Sequence, residues 1–151
     1  MIENFLQNRD VDYEVIRHEL AYTAQETAAA DDVSGYEFAK TVIVTDGQEH
    51  YMLVLPAPFD VDMEGASDLI GQEVRLASEE ETEPLFPECE VGAEPPFGSA
   101  FHMLTFMDES MEGEDHIVFR GGNHEKTIKM STADYIQVEE PTVGEFAVPR
   151  D

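Results

Sequence analysis

The chain sets 34 aspartates and glutamates against 8 lysines and arginines, a formal net charge of −26. Like charges at that density repel, and the repulsion works against any compact state. In roughly molar salt the Debye length falls to about 3 Å and most of the repulsion is screened. The chain therefore reads either as the surface of a protein from a salt-rich cytoplasm or as an ordinary acidic protein. A fold remains open to it because hydrophobic residues fill 42% of its 151 positions, enough for one core and one domain. The charge argues against broad electrostatic capture of nucleic acid at low salt.

The apolar runs are short, such as residues 51–55, so no membrane span is expected. The opening MIENFLQNRD has neither a basic stretch nor an apolar core, so no secretion signal is expected either. Cys89 is the single cysteine, which excludes an intrachain disulfide and a cysteine-based zinc site. These features together point to the cytoplasm.

Ile2, Phe5 and Leu6 share one face of a short opening helix. Val11, Tyr13 and Val15 alternate, which predicts a strand ending near His18. Thr23 to Glu26 reads as a capping box, predicting a helix to about Asp32. Residues 41–45 and 51–55 are β-branched and apolar, and Asp46-Gly47 between them signals a hairpin. A short helix over 66–70 and a strand over 73–77 follow. Ser78 to Glu81 is a second capping box, and Pro84 and Pro87 close its helix. Strands are predicted over 102–106, 116–119 and 127–130, then a helix capped by Ser131 or Thr132 running through Ile136. Residues 1–140 read as one domain and 141–151 as a loosely held tail. Short strands with small helices between them predict an α+β domain with a mixed, strongly curved sheet.

Chemistry is sparse. The chain has no GxGxxG, P-loop, GxSxG or HExxH motif. Its five histidines, at 18, 50, 102, 116 and 124, have no metal-ligand spacing, and neither a metal nor a cofactor is expected. Asp60 and Asp62 read as a solvated edge, and Cys89 as a structural thiol with no base beside it. Three features stand out. Lys40 is one of three lysines and begins a β-branched strand; it is either a surface lysine or a cation aimed at an anionic ligand. The stretch PECEVGAEPPFG (87–98) packs Gly92, Pro95, Pro96 and Gly98 into seven positions. It is either a rigid connection or a backbone cradle whose N–H groups face an acceptor oxygen, as in an oxyanion hole. Gly121 and Gly122 before His124 permit a close backbone approach, with His124 either structural or ligand-facing.

These three features, in this order, resemble the YbaK/EbsC family, editing domains associated with prolyl-tRNA synthetase. The matching stretches are HELAYTAQETAAADDV (18–33), GYEFAKTVIV (35–44), MLVLPA (52–57), VRLASEEETEPLFPECEVGAEPPFG (74–98), FMDESM (106–111) and FRGGNHEKTIKMSTADY (119–135). The resemblance implies a compact, barrel-like mixed sheet with flanking helices. It also implies hydrolysis of the ester joining a mischarged amino acid to the 3′ end of tRNA, with a tRNA hydroxyl helping to activate water. The family's lysine falls on Lys40, its glycine–proline loop on Gly92 to Gly98, and its glycine–histidine loop on Gly121, Gly122 and His124. Tyr22, Thr23, Thr41, Phe97 and Lys126 are expected to line the substrate site. Some members carry asparagine where this chain has Thr41, which leaves the amino acid unassigned.

The implied function is a free-standing deacylase whose partners are aminoacyl-tRNA and a synthetase. A module that only binds tRNA 3′ ends or a synthetase is a second reading. A small-ligand binder or esterase is a third, favoured by the charge.

Overall fold

A computed structural model of the chain describes residues 2–17 and 37–149. The predicted helix over 23–32, with Tyr22 and Thr23, lies outside the described residues.

The centre of the fold is a five-stranded mixed sheet in the order β5-β2-β3-β6-β9. Strands β2 (Ala39–Thr45) and β3 (His50–Pro56) form the predicted hairpin, paired from Ala39↔Pro56 to Thr45↔His50. The connection has four residues rather than the two that Asp46-Gly47 suggests. Asp46 closes it, accepting from the N–H groups of Gln48 and Glu49 at 2.9 and 2.8 Å and from the Tyr51 hydroxyl at 2.9 Å. The edge strand β5 (Arg75–Leu76) is shorter than predicted, because the N–H of Val74 goes to Ser67 Oγ. Strand β6 (Leu104–Asp108) runs parallel to β3, and β9 (Thr142–Gly144) parallel to β6.

A second, antiparallel sheet has β8 (Lys126–Ser131) between β1 (Glu14–Arg17) and β7 (His116–Arg120). A bridge from Phe38 to Val118 ties it to the start of β2. Among the described residues, the α-helices are α1 (Ile2–Gln7), α2 (Met63–Ile70), α3 (Glu79–Thr82) and α4 (Thr132–Glu139). Asp62 spends its carboxylate capping α2, accepting from the Glu64 N–H. Ser78 and Glu81 form the predicted capping box on α3, and Ser131 caps α4, which runs to Glu139.

Strand alternation divides the core. Ala39, Ile43, Met52, Val54 and Met107 face one side, with α1, Phe97 and Tyr135. Val44, Leu53, Leu55 and Phe106 face the other, with Ala66 of α2 and Phe146.

The expected loose tail is not loose. Residues 142–144 form β9, and β10 (Ala147–Pro149) pairs with β4 (Phe59–Val61). Phe146 is fully buried, and its N–H and that of Ala147 both donate to Asp108 Oδ1 at 2.8 Å. Burial pushes the Asp108 carboxyl up. The hydrogen bonds from Phe146, Ser110 and Ala147 outweigh this and hold it below the usual range. The segment holds because a buried anion satisfies its backbone, which a polar, proline-containing sequence does not announce.

Candidate active site

The stretch after α3 turns tightly on itself. Gly92 sits at φ +85°, in the left-handed region where glycine is favoured. The N–H of Ala93 donates to the carbonyl of Glu90 at 3.0 Å. The N–H of Gly92 donates to Oε2 of Glu94 at 2.8 Å, so the Glu94 carboxylate folds back onto its own turn. The carbonyl of Glu94 is fixed from the side, accepting from the Thr41 hydroxyl of β2 at 3.0 Å.

The glycine–histidine loop after β7 meets this turn directly. Glu90 N–H donates to the Gly122 carbonyl at 2.8 Å, and Gly122 N–H to the Ala93 carbonyl at 3.0 Å. Gly122, at φ +101°, allows that close approach. His124 fixes the pair. Its backbone N–H donates to Glu90 Oε1 at 2.9 Å. Its Nδ1 faces the Arg120 guanidinium, which can only donate. The proton is therefore on Nε2, which donates to the Val91 carbonyl at 2.8 Å. Both ring nitrogens are engaged, so His124 braces the 90–92 backbone in this geometry. Arg120, buried at the end of β7, was not legible as part of the site; its one signal was being a rare cation just before the paired glycines.

The other half of the turn is anchored in the core. Pro95, Pro96, Phe97 and Gly98 are all buried. The Phe97 ring packs against Phe5, Phe119 and Tyr135 at centroid distances of 5.3, 5.4 and 5.1 Å. It is thus a core anchor, placed away from any described cavity. The Pro96 carbonyl accepts from the Tyr135 hydroxyl at 2.6 Å. Gly98 N–H donates to Thr105 Oγ1 at 2.9 Å, and that hydroxyl donates to Glu139 at 2.6 Å. Glu139 also accepts from the N–H and hydroxyl of Ser99. One face of α4 thus grips residues 96–99 through side chains four apart, Tyr135 and Glu139.

The cradle expectation can now be sharpened. Phe97 N–H donates to the Pro95 carbonyl at 2.8 Å, Ala93 and Gly98 are committed internally, and the prolines have no N–H. The Gly92 N–H differs, and that of Glu94 with it, because both face the half-buried Glu94 carboxylate, a side-chain acceptor rather than a backbone one.

Beside Gly92 and Glu94 lies a cavity of about 250 Å³, with Thr41, Ile43, Ala77, Phe86 and Cys89 among its walls. That is below the roughly 300–1,000 Å³ of sites for drug-sized ligands, and suits an amino-acid side chain. Glu79, Glu83 and Glu94 also line it, and no lysine, arginine or histidine is among its described walls. Burial pushes the Glu94 carboxyl above its ordinary value, against the N–H groups of Gly92, Glu94 and Ala93, which pull it down. Burial, with Glu94 and Glu88 nearby, pushes the Cys89 thiol up to about 11, so it wall-papers the cavity as a thiol and is no nucleophile near neutral pH. A larger depression of about 620 Å³ lies between α2 and residues 71–74, but it touches neither loop. Its one hydroxyl, Ser67 Oγ, already accepts from Val74.

The expected lysines lie apart from this cavity. Lys40 is next to Thr41 on β2 and so points to the opposite face, where its Nζ is 3.7 Å from Asp60. Lys126 Nζ pairs with Glu3 of α1 at 2.8 Å. Gly121 packs beside it, where an added Cβ would come 3.2 Å from Lys126 Cε and 2.9 Å from Ile128. Hydrogen bonds therefore join Thr41, Gly122 and His124 to the turn around Gly92; Thr41 and Gly92 line the cavity, whereas Gly122, His124, Lys40, Phe97 and Lys126 lie outside its wall.

The architecture and the paired loops fit one class. The chain belongs to the aminoacyl-tRNA editing domain family, whose sequence profile matches residues 18–138. It is an ester hydrolase that removes amino acids from mischarged tRNA. Among curated proteins, it is 26% identical over 147 residues to the multifunctional Ser/Thr-tRNA deacylase ProXp-y of Escherichia coli strain K12. That match covers 93% of this chain and 87% of the relative. Among solved structures, hypothetical protein APE2540 superposes with a TM-score of 0.89 at 23% identity, covering 97% of this chain and 99% of the other. A proposed trans-editing enzyme for prolyl-tRNA synthetase superposes with a TM-score of 0.84 at 19% identity, covering 97% and 94%. These two likenesses carry the fold. Among the described residues no helix is long and apolar enough to cross a membrane.

Proposed function

We propose that the cavity beside Gly92 and Glu94 receives the amino-acid part of an aminoacyl-tRNA. The Gly92 N–H then stabilises the oxygen of the ester carbonyl as it becomes an oxyanion. The observation that carries this reading is a backbone donor in the wall of an amino-acid-sized cavity, bonded to a side-chain carboxylate rather than to a backbone carbonyl. Water adds to the carbonyl carbon, the bond to the ribose oxygen breaks, and that oxygen leaves with a proton as the tRNA hydroxyl. A neighbouring tRNA hydroxyl can help to orient the water, so no side-chain nucleophile is needed. Thr41, His124 and Gly122 keep the turn in place. Pro95, Pro96 and Gly98 stiffen it from the core side.

Lys40, on the other face of β2, suits a phosphate of the tRNA end better than the carbonyl. Lys126 and Gly121 border the same loop. The polar walls formed by Thr41, Thr82 and Cys89 favour a small polar amino acid, and the Escherichia coli relative is described as acting on Ser- and Thr-tRNA. Seryl and threonyl esters are thus the first to test. The setting is the cytoplasm, acting in trans beside a synthetase.

The test is deacylation of a panel of charged tRNAs in molar salt by wild type and Lys40→Ala. Release of at least one amino acid is expected, with Lys40→Ala raising KM more than it lowers kcat. No release from any tRNA in the panel would overturn the reading.

A further inference from the structure

A carboxylate rests on the donor that a substrate carbonyl needs. Gly92 N–H and Glu94 Oε2 are 2.8 Å apart, and both residues line the cavity. If Glu94 did nothing but stay there, it would block the reaction. The turn must therefore give the carboxylate somewhere to go when substrate arrives.

The chemistry of an aminoacyl ester supplies the destination. The α-ammonium group is attached to the carbon next to the carbonyl. A carbonyl oxygen that takes over the Gly92 N–H brings that ammonium close to the displaced carboxylate. The Glu94 backbone does not have to move, because its carbonyl is held by Thr41 at 3.0 Å. Only the side chain rotates. The cavity has no cation among its described walls to compete for the carboxylate, and Glu79 and Glu83 add to the attraction for a positive group. Partial burial strengthens an ion pair formed there relative to one in open water.

We infer that Glu94 is a specificity residue that reads the free α-ammonium of the aminoacyl ester, exchanging its bond to Gly92 N–H for that group as the carbonyl takes its place. This rests on the proposed site of ester hydrolysis and adds what the site demands of its substrate. An ester with an acylated amine has no charge to draw the carboxylate away and leaves the donor occupied. The carbonyl, ammonium and carboxylate are thus read as one unit, and N-acylated tRNAs are rejected.

The experiment compares single-turnover hydrolysis of one aminoacyl-tRNA with that of its N-acetylated form, in molar salt, by wild type, Glu94→Gln and Glu94→Asp. The tRNA and amino acid are those on which wild type acts fastest. Wild type is expected to prefer the free amine by at least about tenfold. Glu94→Gln should lose that preference, mostly through a higher KM for the free-amine ester, and Glu94→Asp should keep part of it. Thermal unfolding of each variant controls for the fold. Equal preference in wild type and Glu94→Gln would overturn the inference and leave the deacylase reading standing. So would Glu94→Gln accelerating both esters, which would make the carboxylate a plug only. Wild type inert on every ester would instead overturn the deacylase reading, and the inference with it.

Discussion

Gly98→Ala is the sharpest structural test of how the turn is held. A Cβ built on Gly98 would lie 2.3 Å from Thr105 Oγ1 and 2.8 Å from the Met103 carbonyl oxygen. Comfortable C···O contacts begin at about 3.3 Å, so something must move by about 1 Å. Neither neighbour is a free end. Thr105 Oγ1 is bonded to Gly98 N–H and to Glu139, and Met103 N–H donates to the Gly98 carbonyl at 3.0 Å. Overpacking a core site costs about 1–3 kcal/mol, and leaving a buried N–H unsatisfied costs about 1–3 kcal/mol more. The expected loss is thus about 3 kcal/mol. The same 1 Å shift propagates towards residues 92–94, where a misplacement of that size can lower a rate about 100-fold. Gly113→Ala is the control, since nothing lies within 4 Å of its Cβ. The assay is urea unfolding at fixed molar salt, with deacylation measured on the same samples. Gly98→Ala within about 0.5 kcal/mol of wild type would refute the reasoning, since that is the scatter expected of a harmless surface change.

Asp108→Asn should lose about 2–4 kcal/mol, because two of its charge-assisted bonds weaken or invert; hydrogen exchange at Phe146 should rise, and unchanged protection there would contradict the pinning of β9 and β10. Glu81 is held at about 2, with the Arg75 guanidinium as the largest cause and Ser78 assisting. A depressed carboxyl contributes stability above its unfolded value of 4.5 that is lost as pH falls through about 2. Arg75→Gln should therefore move the Glu81 midpoint up towards 4.5 in a carboxyl NMR titration, and no movement would refute the pair. Cys89→Ser should retain deacylation, and alkylation of Cys89 should stay slow until pH approaches about 11; loss of activity in that variant would show the thiol has a chemical part. The net charge of −26 predicts that the unfolding midpoint rises between low and molar salt, and a flat response would reject the salt-adapted reading.

Local rules were most legible where one residue determines one bond. The Ser78–Glu81 capping box, the β2–β3 hairpin and the opening helix follow from short patterns, and the structure has them where the pattern puts them. The family and the α+β class were legible because the glycine–proline and glycine–histidine loops keep their order. Long-range satisfaction was not legible. Nothing near Asp108 says that its carboxylate closes a segment almost 40 residues later, so 141–151 read as a tail. Alternation on β2 was available in principle, since Lys40 and Thr41 are neighbours and cannot share a face. The family pattern drew both towards one site, and the structure separates them. Glu94 was hidden for the opposite reason: between Ala93 and Pro95 it looked like another surface carboxylate, and only its fold back onto Gly92 reveals it.

The central claim is that the small cavity beside Gly92 and Glu94 is where the amino acid sits. Ala77 is a wall of that cavity contributed by the segment after β5 and by neither loop, and Ala77→Phe would fill it while leaving both loops intact. The decisive measurement is single-turnover deacylation by wild type and Ala77→Phe, in molar salt, on the charged tRNA that wild type hydrolyses fastest. The account predicts at least a tenfold loss in Ala77→Phe with its unfolding midpoint preserved. Hydrolysis at the wild-type rate by a folded Ala77→Phe would place the reaction elsewhere on the protein.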